Sequence, residues 1–127
     1  MGTWPGKLSA ITLFAEDVAV TRDFYREVFG LEPVFEDADS AVFSFGNTLV
    51  NLLASTAATE LIEPADVGRP DAGVRLQLTI DVDDVDATCA DLAARGIVLL
   101  NGPIDRPWGV RTATFRDPAG HIWEIAK

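Results

Sequence analysis

Glu124 stands between two aliphatic neighbours, Ile122 and Ala126, on one face of an alternating segment whose other face carries His121, Trp123 and Ile125. A carboxylate so placed either reaches water at the strand end or points into a polar site, because burial without a partner is costly. Few other side chains could do chemistry. The only histidine, His121, points away from Glu124 by the same alternation, and at a hairpin turn it reads as a surface residue. The only cysteine, Cys89, falls at the core-facing phase of a helix and reads as an inert buried thiol. Asp81, Asp83, Asp84 and Asp86 lack the glycine and distal glutamate of a calcium loop, and helix capping accounts for most of that string. With one histidine and no G-x-S-x-G elbow, acyl transfer has no base to run on, and there is no P-loop or dinucleotide fingerprint.

The elements that must position Glu124 come in two copies. Residues 10–17 (AITLFAED) precede VAVTRDFYREVFG, and residues 77–84 (QLTIDVDD) precede VDATCADLAARG, so Asp17 falls on Asp84 and Ala10 on Gln77. Each copy reads as a strand, an acidic turn and an amphipathic helix ending at glycine. Helical spacing places Val20, Phe24, Val28 and Leu31 on the apolar face of the first helix, and Val85, Cys89, Leu92 and Ala93 on that of the second. Asp17 and Asp84 are placed to cap, and Gly30 and Gly96 to stop, these helices. Strands follow at Glu32–Phe35, Ser40–Phe45 and Thr48–Leu53, with Gly46-Asn47 as the turn. The second copy repeats this at Ile97–Leu100, Val110–Arg116 and His121–Ala126, with the turn at 117–120. The modules therefore span about 8–53 and 74–127 of one domain. Residues 54–73 form a linker, with a short helical turn at Ala58–Leu61, and residues 1–6 read as a disordered lead-in.

Tandem βαβββ modules with these turns resemble the vicinal oxygen chelate superfamily, which includes glyoxalase I, extradiol dioxygenases, methylmalonyl-CoA epimerase, fosfomycin resistance enzymes and bleomycin-type drug-binding proteins. ITLFAEDVAVTRDFYREVFGLEPVF is similar to the family's opening, and FRDPAGHIWEIA to its closing hairpin; the likeness runs from about Leu8 to Ala126. It implies an α+β fold: two tandem βαβββ modules forming a cup-shaped, partly open mixed β-sheet with helices on the outer face. Function has to be argued from the site.

Alternation puts Leu76, Leu78, Ile80 and Val82 against the helices and leaves Gln77, Thr79 and Asp81 opposite. Likewise Ile11, Leu13 and Ala15 face the helices, leaving Ala10, Thr12 and Phe14 for the concave side. The resemblance places metal ligands at four related positions, usually His, Gln and Glu. Here those positions hold Ala10, Asn51, Gln77 and Glu124. Alanine cannot ligate and Asn51 is a weak donor, so one amide and one carboxylate remain, a poor cage for a transition metal. The expectation is no cofactor and no metal.

The remaining groups suit binding. Thr12, Phe14, Phe43, Asn51, Gln77, Thr79, Trp108, Arg111 and Glu124 are the candidate ligand contacts. Residues 106–111 are similar to the family's Trp-Gly-x-Arg segment: Trp108 either stacks on a planar ligand or plugs the core, and Arg111 could pair with a ligand carboxylate or with Glu124. The first expectation is a metal-free binding protein of the bleomycin-resistance type, holding a planar or aromatic compound between the modules. The alternative is a glyoxalase-like lyase or isomerase, in which a desolvated Glu124, with or without a weakly held metal, takes a proton next to a carbonyl. A third is a protein-interaction module with a vestigial pocket.

Composition bounds the partners. Twenty acidic residues against ten basic give a net charge of −10, which disfavours nucleic acid. No apolar run is long enough to span a membrane, no secretory signal is evident, and the single cysteine fits a reducing, cytoplasmic setting. The resemblance implies homodimers, with modules exchanged between chains as one arrangement that the linker length permits.

Overall fold

The computed structural model describes residues 4–127, so the first half of the expected lead-in lies outside the described residues. Two compact units are evident, one ending at Val67 and the other spanning Gly68–Lys127. Among the described residues no helix is long and apolar enough to cross a membrane.

In the first unit β1 (Ala10–Ala15) leads into α1 (Val18–Phe29), followed by β2 (Phe35–Glu36), β3 (Ser40–Phe45), β4 (Thr48–Ala54) and α2 (Ser55–Ile62). Its sheet has the order β1-β4-β3-β2, with β1 parallel to β4 and the other pairs antiparallel. The second unit repeats the plan with β5 (Gln77–Asp81), α3 (Val85–Ala94), β6 (Asn101–Asp105), β7 (Arg111–Arg116) and β8 (Ile122–Ala126), in the order β5-β8-β7-β6. The fold is thus α+β, two tandem modules each with an open four-stranded mixed sheet.

The duplicated caps form as their residue types require. Asp17 accepts from the Val20 N–H at 3.1 Å, and Asp84 from the Ala87 N–H at 3.0 Å. The copies even share a second contact, Thr21 and Thr88 each donating a hydroxyl to the carbonyl of the capping aspartate. Gly30 ends α1 at φ 64°, and Gly96, just past α3, sits at φ 80°.

Three expectations need correction. The buried stripe of α1 is centred on Thr21 and Tyr25, while Val20 is half exposed, because Tyr25 sits in an aromatic cluster with Phe29 and Phe43 at 5.2 and 5.4 Å. The strand expected at Ile97–Leu100 forms instead at Asn101–Asp105, and that expected at Glu32–Phe35 shrinks to Phe35–Glu36. Backbone pairing with β7 and β3, more than apolar content, decides where these edges start. The linker's short turn is a two-turn helix, α2, with Ala58 buried against the first unit.

Candidate functional site

Each sheet has one face turned to its helices and one open face, and the register says which residues share each. In the second unit Thr79 pairs with Glu124 across β5 and β8, and Thr114 with Glu124 across β7 and β8. Thr79, Glu124 and Thr114 therefore form a row on the open face, with Gln77 and Thr112 each two residues away on the same side. The Thr79 hydroxyl donates to Glu124 Oε1 at 3.0 Å, which fixes the carboxylate, and Oε2 has no protein partner among the described residues. Next to it Thr114 Oγ1 is buried without a hydrogen-bond partner. Such an orphan calls for a group from outside the protein.

The first unit repeats the arrangement with different chemistry. Thr12 pairs with Asn51 across β1 and β4, the position that Thr79 and Glu124 occupy in the second copy. Asn51 Oδ1 is buried and also lacks a partner. Phe14, half-buried, shares this face. In the duplicated plan the two orphaned atoms thus fall on the same row, Asn51 at the position of Glu124 and Thr114 one strand across.

Two expected contacts lie elsewhere. Phe43 pairs with Val50, sits on the helix side and is wholly buried against Tyr25. Arg111 is also on the helix side: its guanidinium holds Asp86 of α3 at 2.9 Å and Asp105 at 3.0 Å, not Glu124. Hydrogen bonds first to Asp86 and then to Asp105 push its pKa up, so it stays charged at every pH the fold meets. Trp108 is 72 % exposed at the tip of the β6–β7 turn, so it does not plug the core. Cys89 is buried on α3, and desolvation, then the charge of Asp86, raise its thiol pKa; it remains a protonated core thiol.

Sequence reasoning did not single out Thr112, Thr114 and Arg106. The threonines were within reach, since alternation through 111–116 separates Thr112, Thr114 and Arg116 from Arg111, Ala113 and Phe115. Arg106 was not, because its place depends on the turn. The chain reverses between the Arg106 N–H, which donates to the Val110 carbonyl, and the Gly109 N–H, which donates back to that of Arg106. The Arg106 head thereby reaches Thr112 Oγ1 at 2.9 Å.

The fit to a metal follows from these donors. Among the described residues there is no cluster of three His, Cys, Asp or Glu side chains able to hold an ion. The open face of the second unit offers Gln77 and Glu124, one of whose oxygens Thr79 already occupies, and that of the first offers Asn51 beside Ala10. One carboxylate with amides and hydroxyls does not fit a transition-metal centre.

Comparison with known proteins adds context. A model of the Glyoxalase/Bleomycin resistance protein/Dioxygenase superfamily matches residues 7–125. The uncharacterized protein YraH of Bacillus subtilis (strain 168) is 33% identical over 125 residues, 95% of this chain and 98% of that protein. A glyoxalase-related enzyme from Fulvimarina pelagi superposes with a TM-score of 0.82 at 28% identity, covering 95% of this chain and 87% of its own. A glyoxalase/bleomycin resistance protein/dioxygenase from Nocardioides gives 0.85 at 22% identity, over 98% of this chain and 85% of its own. A lactoylglutathione lyase from Agrobacterium tumefaciens gives 0.78 at 24%, over 96% and 93%; these last two likenesses are of fold alone.

Proposed function

Because this chain belongs to the Glyoxalase/Bleomycin resistance protein/Dioxygenase superfamily, we propose that it is a metal-free small-molecule binding protein whose ligand, planar or aromatic, lies against the open sheet face of a unit. One observation carries the reading: Asn51 Oδ1 and Thr114 Oγ1 are buried on such faces with no protein partner. A buried acceptor or hydroxyl left unpaired costs about 1–3 kcal/mol, which a ligand's polar groups would recover. Phe14, half-buried beside Thr12 and Asn51, supplies apolar surface for a ring.

Screening planar aromatic compounds and natural-product antibiotics by thermal shift tests the reading. A binder held at about 100 times its Kd stabilises the fold by about 2.7 kcal/mol, which is easily seen as a rise in Tm. Failure of every compound would favour the interaction module. Elemental analysis of protein purified without chelators checks the other half, and a stoichiometric metal that resists dialysis would overturn it.

A second reading keeps one specific observation in its favour. Glu124 is held by Thr79 through one oxygen and has the other free of protein partners, as a general base needs. Under it, Glu124→Gln abolishes hydrogen–deuterium exchange at a carbon next to a carbonyl while leaving binding largely intact. Under the binding-protein reading no such exchange is catalysed by either form.

We also infer pairing into homodimers. The edge strands carry exposed apolar side chains, Phe35 beside Val34 in one unit and Ile104, with Leu100 just before its strand, in the other. Monomers rarely leave such edges open to water.

A further inference from the structure

The chain has eight arginines in a strongly acidic sequence. Arg22, Arg26, Arg69, Arg95 and Arg111 each hold a carboxylate. Among the described residues Arg75, Arg106 and Arg116 hold none, and of these only Arg106 is fastened in place. Its Nε donates to Thr112 Oγ1 at 2.9 Å, and its Nη2 lies 3.4 Å from Asn101 Oδ1. Both partners are neutral oxygens, so the guanidinium charge is uncompensated.

Geometry says what it can take. A guanidinium has a side edge, Nε with Nη2, and an end edge, Nη1 with Nη2, each able to receive two oxygens. Thr112 and Asn101 occupy the side edge, which leaves the end edge for a planar oxyanion. Thr112 is 1% exposed and rigid within β7, and Arg106 opens the tight turn to Val110, so the fork is held before any ligand arrives. Prior ordering of this kind lowers the entropy cost of binding.

The position matters as much as the charge. Thr112 and Thr114 share the open face of β7, and Thr114 lies opposite Glu124. Two residues along one strand and one strand across separate Thr112 from Glu124 by roughly 8 Å. At that end Glu124 Oε2, without a protein partner among the described residues, can accept from a donor, and the buried, unpartnered Thr114 hydroxyl can accept or donate. We propose that Arg106 is the anion-recognition residue of this face, and that its ligand is a small amphoteric molecule. The ligand's carboxylate meets Arg106, and an ammonium or other donor several bonds away meets Glu124 and Thr114. This rests on the small-molecule reading above and names the chemical class of its ligand.

The test uses matched compounds on the full chain. Para-aminomethylbenzoate, its phenylacetate homologue and the primary amide of each are titrated by calorimetry against wild type, Arg106→Gln and Arg106→Lys. Wild type should bind a carboxylate about tenfold more tightly than its amide, the usual scale of a charge-assisted hydrogen bond. Arg106→Gln should erase most of the preference, and Arg106→Lys should restore it in part. A circular-dichroism spectrum and a cooperative unfolding transition like those of wild type show that each variant is folded. If wild type binds acid and amide equally, the anion role falls and small-molecule binding stands. If wild type binds neither here and no compound in the broader screen, both fall.

Discussion

Whether a side chain serves the core or the open face is decided one residue at a time, and Phe43 makes the difference measurable. It is wholly buried against Tyr25, so Phe43→Ala should cost about 3–5 kcal/mol in urea unfolding, the usual price of deleting a core aromatic. It should leave the affinity of the remaining folded protein nearly unchanged; a selective loss of affinity would return Phe43 to the ligand. The face of Glu124 was legible because alternation alone puts it on the side opposite Trp123. Those of Phe43 and Arg111 were not, since either strand phase looks plausible until a partner strand is known. Register then sets Phe43 opposite Val50, and Asp86 and Asp105 claim Arg111.

At the scale of elements, the duplicated helix starts should behave alike. Asp17→Ala and Asp84→Ala each remove a cap of the same geometry, and each should lower stability by about 1 kcal/mol. Chemical denaturation of the two variants checks this, and a large difference between them would show that one cap is redundant. The turn entering β3 carries a pH signature. The Asp39 N–H and then the Ser40 hydroxyl, both donating to the Asp37 carboxylate, hold its pKa below the usual range. A lowered folded pKa gives stability that is present above the unfolded value, about 3.9, and lost as pH falls through the folded one. Asp37→Asn should therefore be less stable than wild type at neutral pH and converge on it below about pH 4, which flattens the acid limb of the stability curve. Helix ends were readable because caps and glycine stops are local chemistry. Strand starts such as Asn101 were not, because β6 begins where β7 offers partners. Gly102 falls in the register shift between Asn101 and Ile104: at φ 92° it lies so close to β7 that a Cβ would sit 2.5 Å from the Thr112 carbonyl oxygen.

At the scale of the molecule, light scattering should return twice the chain mass at micromolar concentration; a chain mass that persists at high concentration would overturn the dimer inference. Arg or Asp at Phe35 should shift the equilibrium toward monomers if that edge is covered. The sequence by itself determined the duplicated plan, the two capped helices, the two hairpin turns and the face occupied by Glu124. Periodicity, capping and turn chemistry act within a few residues, so they can be read from the chain. Only tertiary structure decided that Thr114 and Asn51 keep buried oxygens without partners, that Arg111 belongs to α3, and that Arg106 stands over Thr112. Each of those depends on which strands lie side by side and on where a turn aims a long side chain, and sequence spacing carries neither.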